Sequence, residues 1–324
     1  MRSLSRIFAL LLPLSLVACA VDSVDPVQPA APPGEASEPQ ADEQPSPVAA
    51  GPSSGVGQAV DPGLPSMEEA SPAIPDGDLD LELPNVPALT GPGPAPTRTC
   101  SYTKDADGFF KLITKTGGLD YWVRLPPTYT STKSYPMIVG MHGCGDNAKN
   151  FATWAISPWN IRSTQTHIAV SVGAGRDGQC WTASTDEAKI LAVIADVRQC
   201  FWAHQRKIVL AGYSSGGIAA YYTGMRNAKK FAGILIENSS VQSAFGVGTP
   251  TDTALNAAGW KINVAIAART ADEYFPIAQV RTDKSKLTAK GFPVQYRELA
   301  GGHSGTSDDW TGFLLTKYST WRAP

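Results

Sequence analysis

The feature that most constrains this chain is a break in composition near residue 97. Residues 20–97 hold 13 acidic side chains, no lysine or arginine, no aromatic residue and 17 of the 26 prolines of the 324-residue sequence. Such a segment has too little apolar surface to offset the entropy of ordering its backbone, and its like charges repel one another. Residues 19–97 therefore read as a disordered acidic, proline-rich stalk. As flexible coil it would span about 50 Å root-mean-square, from roughly 5–6 Å times the square root of its length. Residues 98–324 are the reverse: 25 basic against 16 acidic residues, with every tryptophan and tyrosine. Those 227 residues suffice for one sizeable core. The balance argues against a polytopic membrane protein, a collagen-like fibre and a nucleic-acid partner.

Past Cys100 the chain alternates short apolar runs with helical patterns. Strands are predicted at 109–113, 121–125, 136–141, 167–172, 207–210, 231–236, 262–268 and 293–299. Helices are predicted from Ser184, where Ser184 and Glu187 fit a capping box, and over 218–226, 275–289 and 308–318, with Asp308 and Asp309 capping the last. This is an α/β pattern: a mostly parallel sheet covered by helices on both faces, whose working residues lie at the carboxyl ends of the strands.

Gly212-Tyr213-Ser214-Ser215-Gly216 fits G-x-S-x-G between an apolar strand and a helix, the placement a nucleophile elbow requires. Only Ser214 has glycines at both −2 and +2. Serine needs a neighbouring base, and His303, in a loop just past the strand ending at Leu299, is the only histidine after Ser214. His167 and His204 lie at the wrong strand ends. The acid that orients the imidazole is expected to be Asp272, four residues past a strand, with Glu237 and Glu273 as competitors. An oxyanion hole needs preorganised N–H donors. These are expected from Ser215 and from the Met141–Asp146 loop, with the Cys144 amide favoured and Gly143 next.

Four cysteines lie in the folded part. Cys144 and Cys180 follow strands at the active-site end and Cys200 precedes one at the other, so Cys144–Cys180 and Cys100–Cys200 are the expected disulfides, with free buried thiols as the alternative. Trp181 is a candidate substrate contact, although tryptophans are more often core residues. Gly173 to Gly178 matches G-x-G-x-x-G, but residues 179–182 intervene before the helix, so it reads as a loop over the site rather than a dinucleotide cradle. No cysteine or histidine spacing suggests zinc, and neither metal nor cofactor is expected.

Two resemblances add to this. Leu16-Val17-Ala18-Cys19, after a basic start (Arg2, Arg6) and an apolar run too short to span a bilayer, resembles the lipobox of bacterial lipoprotein signal peptides. It implies cleavage after residue 18, a lipid on Cys19 and membrane attachment; Ala20 is compatible with outer-membrane sorting, facing the periplasm or the cell surface. His142-Gly143-Cys144-Gly145, Cys180-Trp181, the elbow and Gly301-Gly302-His303 resemble, in order, α/β-hydrolases of the polyhydroxybutyrate depolymerase and feruloyl or acetyl-xylan esterase branch. One departure is visible: Gly145-Asp146 stands where these enzymes often have glutamine. The resemblance implies a Ser–Asp–His esterase without metal or cofactor, acting on feruloyl or acetyl polysaccharide esters or hydroxyalkanoate oligomers, and a monomer is expected. The rivals are a serine peptidase on the same fold and a non-catalytic glycan-binding surface lipoprotein.

Overall fold

The computed structural model describes residues 91–174 and 178–324. The signal segment, Cys19 and most of the expected stalk lie outside the described residues. Contacts with the domain begin before residue 98: the Pro92 carbonyl accepts from Gln205 N, and Thr97 and Arg98 N–H both donate to the Gln199 carbonyl.

Eight strands form one sheet: β1 Phe109–Ile113, β2 Asp120–Arg124, β3 Tyr135–Met141, β4 Ile168–Val172, β5 Ala203–Tyr213, β6 Gly233–Glu237, β7 Asn263–Arg269 and β8 Val294–Leu299. Their order is β1-β2-β4-β3-β5-β6-β7-β8. Only β2 runs against the rest, so the other strands all end on one edge, called here the upper edge. β5 is longer than the apolar run 207–210 suggests. Its first half, Ala203 to Lys207, is half-buried and polar, which hides it from a hydrophobicity pattern.

The two faces are packed differently because β-strand side chains alternate. Helices α2 (Ala183–Cys200), α3 (Ser215–Arg226), α4 (Val241–Phe245), α5 (Thr249–Ala257) and α6 (Ile277–Ala289) cover the face carrying Met137, Val139, Leu210, Ile234 and Ile266. The other face is lined by small residues: Gly140, Ala169, Ala211, Ala265 and Ala267. Large rings fill the space they leave. Phe151 comes from α1 (Ala148–Phe151), which runs into a π-helical turn at Ala152–Ile156; Trp310 comes from α7 (Ser307–Gly312), and Phe313 and Trp321 from beyond it. A Cβ on Gly140 would lie 2.7 Å from Phe151, and one on Gly233 2.3 Å from Trp321. Both are closer than packed carbon atoms approach.

Two expected helix starts need correction. α2 begins at Ala183, and the Asp186 carboxylate rather than a Ser184–Glu187 box accepts from Thr182 N, at 2.8 Å. Glu187 instead meets Arg226 and Asn227. The last helix is α7 alone, capped by the Thr306 hydroxyl, which accepts from Asp309 N; beyond Gly312 the chain continues as two 3-10 turns. Asp308 and Asp309 do not cap it by side chain. Asp309 pairs with Arg269.

Candidate active site

At the upper end of β5 the backbone turns sharply into α3, with Ser214 at φ 54°, ψ −124°. A non-glycine residue with positive φ is strained and persists only where its surroundings hold it. The turn fits because its flanks lack side chains. A Cβ on Gly212 would lie 2.3 Å from the Gly216 carbonyl oxygen, and one on Gly216 2.0 Å from that of Met141. The flanking glycines are thus a steric necessity.

Three loops bring the remaining groups to this turn. His303 Nε2 lies 2.9 Å from Ser214 Oγ, and His303 Nδ1 lies 2.9 Å from Asp272 Oδ2. The other Asp272 oxygen accepts from Tyr274 N and Phe275 N, each at 2.9 Å, so the carboxylate is fixed from both sides. The imidazole is packed against Tyr213, Tyr274 and Phe275. Burial, with the Asp272 carboxylate adding to it, pushes the Tyr213 phenol above its ordinary range, so that ring stays neutral beside the imidazole.

Neither competing acid orients the imidazole. Glu273 accepts the His303 backbone N–H at 3.1 Å and clamps the loop. Glu237 is fully buried and accepts from Trp310 Nε1 at 2.6 Å and from Thr306 N at 3.3 Å. Burial, and then the neighbouring Asp309, hold its carboxyl well above the ordinary range. It therefore acts as a neutral strut beneath the loop that carries His303. Asn238, at φ 47°, adds a bond of 2.7 Å from its amide to the Ser304 carbonyl. Sequence reasoning weighed Glu237 only as an acid and passed over Asn238. A carboxylate and an amide directly after an apolar strand at the upper edge were the available signal.

The Met141–Asp146 loop is tied to the loop after β4. Cys144 is joined to Cys180, and Cys100 to Cys200, as the strand ends suggested. Gly145 N donates to the Gly178 carbonyl and Gly178 N to the Asp146 carbonyl, a two-bond clasp beside the disulfide. Among the described residues neither the Cys144 nor the Ser215 amide has a hydrogen-bond partner. Ser215 also opens the 12-residue α3, whose N-terminus favours negative charge. Asp146 accepts from Asn147 N, Asn150 Nδ2 and Trp154 Nε1, which holds α1 against the loop.

Trp181 is 7% exposed and belongs to the core; its N–H donates to Ser215 Oγ and its indole to the His142 carbonyl. It braces the Met141–Asp146 loop against the elbow, and it occupies the Ser215 hydroxyl, leaving Ser214 as the serine facing His303. Ala174, just after β4, enters the same region: its N lies 3.4 Å from His142 Nε2. Residues 175–177 lie outside the described residues. Among the described residues no cluster of three or more His, Cys, Asp or Glu side chains is placed to hold a metal ion, and no helix is long and apolar enough to cross a membrane.

Comparison with known proteins agrees with this architecture. No protein-family model matches the chain. It is 25% identical over 135 residues to the probable feruloyl esterase C of Aspergillus flavus, covering 40% of this chain and 50% of that one. The Aspergillus terreus counterpart is 26% identical over 130 residues, covering 39% and 48%. The chain thus spans about half the length of the curated relatives it matches. Among solved structures, the CE1 ferulic acid esterase of Anaeromyces mucronatus superposes with a TM-score of 0.52 at 15% identity, covering 70% of this chain and 96% of that one. Another ferulic acid esterase does so at 0.50 and 15%, covering 65% and 95%. At such identities the likeness establishes the fold. The chain has the α/β-hydrolase fold.

Proposed function

We propose that this protein is an exported serine esterase, held at a bacterial membrane by a lipid on Cys19, that hydrolyses carboxylic esters through Ser214, His303 and Asp272. The observation that carries the reading is the unbroken line of hydrogen bonds from Ser214 Oγ through the His303 ring to Asp272, with the Ser215 amide next in the chain and without a partner among the described residues. As Ser214 Oγ bonds to the ester carbonyl carbon, its proton passes to His303 Nε2, and Asp272 steadies the resulting imidazolium. The Ser215 and Cys144 amides donate to the developing oxyanion. Collapse expels the alcohol, which takes the proton from His303. Water, deprotonated by the same imidazole, then attacks the acyl-serine, and as the acyl–Oγ bond breaks His303 returns that proton to Ser214 and the acid is released.

Substrate class rests on the relatives. The fungal relatives carry feruloyl esterase names, and the Anaeromyces enzyme has been solved in complex with ferulic acid. They favour feruloyl or acetyl esters of polysaccharide, with hydroxyalkanoate oligomers next. The test is turnover of p-nitrophenyl acetate, methyl ferulate and hydroxybutyrate oligomers by the full chain and by Ser214→Ala. We expect a serine-dependent rate lowered by a factor on the order of 10⁴ or more in the variant. A folded wild type no faster than Ser214→Ala on every ester would sink the reading, and turnover confined to peptide amides would replace it with a peptidase.

A further inference from the structure

Trp159 does nothing for the catalytic site, yet it is 79% exposed, the most exposed large apolar side chain among the described residues. It lies in a short 3-10 turn (Trp159–Ile161) entered through Pro158, just before β4, and so at the lower edge of the sheet. The distance to the elbow is about the length of a strand, roughly 15–20 Å. Beside it opens a surface cavity of about 500 Å³ lined by Asp107, Arg124, Pro127, Trp159, Asn160 and Ser163, among others.

An exposed tryptophan normally swings between rotamers, but this one has a buttress. The Arg162 guanidinium lies between two rings, 5.6 Å from the Trp159 centroid and 5.2 Å from that of Phe109. It is pinned by Asp107 Oδ1 at 2.8 Å and the Ser157 carbonyl at 3.2 Å. Arg124 backs the same corner, donating to the carbonyls of Asp107 and Arg162 and to Gln165 Oε1. The indole is thus held on one side with the rest open to water, which lowers the entropy lost when a ligand stacks on it.

The surroundings select the ligand. Among the described residues no other exposed large hydrophobic residue lines the cavity, so the ring of apolar neighbours that seals a protein–protein hot spot is missing. Both guanidinium groups donate to carbonyls and side chains within the corner, which makes it a poor phosphate trap. What remains is a flat aromatic platform beside Asp107, Asn160 and Ser163, short polar groups that hydrogen-bond hydroxyls. A pyranose has this character: one apolar C–H face and an equatorial belt of hydroxyls. We infer that the Trp159 corner is a glycan-binding subsite that takes the pyranose backbone of a polysaccharide, separate from the elbow. Its use, holding a polymer whose esters the elbow cleaves, rests on the proposed esterase reading; the binding does not.

The test is affinity electrophoresis of the full chain, in the Ser214→Ala background, through gels containing soluble arabinoxylan, repeated with Trp159→Ala and Trp159→Phe. Retardation that Trp159→Ala weakens about tenfold or more, and that Trp159→Phe partly restores, is the expected result. Retardation indifferent to Trp159, or no retardation, overturns the inference, as does Trp159-dependent capture by hydroxybutyrate granules but not by arabinoxylan. Turnover of p-nitrophenyl acetate by Trp159→Ala with Ser214 intact should match wild type. That arm separates the two readings, because loss of esterase activity in wild type leaves the binding result standing.

Discussion

His167 offers a quantitative test far from the catalytic groups. It is fully buried at the lower end of β4, where Nε2 donates to the Ile156 carbonyl at 2.8 Å and Nδ1 accepts from the Tyr318 hydroxyl at 2.8 Å. Burial drives its pKa down from 6.5 to about 4; the Ile156 bond opposes this and the Arg124 charge adds to it. The unfolded chain therefore binds a proton near pH 6.5, whereas the native state refuses it until about pH 4. Between those values the unfolded state holds more protons, so stability is fully present above pH 6.5 and falls as pH falls. At about 1.4 kcal/mol per pH unit the whole effect is about 3 kcal/mol, of which about 2 kcal/mol is lost by pH 5. For a domain of this size that is about 4–8 °C in Tm. Urea titrations of wild type and His167→Gln between pH 8 and pH 5 isolate it, since the amide keeps a donor and an acceptor but does not titrate. Wild type should lose about 2 kcal/mol more than the variant across that window. Parallel curves would refute the account and mean that the native state admits the proton.

Two further outcomes follow from the site. Because Glu237 is held neutral and supports the His303 loop, Glu237→Gln should keep kcat on p-nitrophenyl acetate within about threefold, whereas Glu237→Ala should lower it by about tenfold or more. Equal losses in both would mean that the charged carboxylate matters. The double change Cys144→Ser, Cys180→Ser opens a link of sequence separation 36, worth about 2–4 kcal/mol of stability, and should also lower kcat below the transition temperature by releasing the Cys144 amide. Unchanged kcat in the folded variant would show that the backbone clasp at Gly145 and Gly178 suffices.

How much of this was legible depends on whether a residue's role is local. The elbow could be read because its glycines are required by contacts within five residues and with the neighbouring β3. His303 and Asp272 could be read because chain order and strand ends place them. The cap of α2 could not: Thr182, Ser184 and Thr185 are all plausible caps, and Asp186 decides through a bond to Thr182 N. The last helix misled because Trp310, Phe313, Leu314 and Tyr318 keep a helical spacing through Gly312, while the chain beyond it tightens into 3-10 turns to fill the small-residue face. Trp181 and Glu237 mark the limit: both are buried, and burial is set by elements distant in sequence.

The Cys100–Cys200 bridge has a mechanical consequence. Tension applied through the chain ahead of Gly91 first meets the weak backbone bonds at Pro92, Thr97 and Arg98. It then reaches a covalent bridge at the foot of β5. The 99 residues between the two cysteines, including β1 to β4 and the Met141–Asp146 loop, are short-circuited and carry no load. A pull between that anchor point and a molecule held on Ser214 would run up β5, which is hydrogen-bonded to β3 on one side and β6 on the other. A tug from below is thus routed past the Met141–Asp146 loop rather than through it.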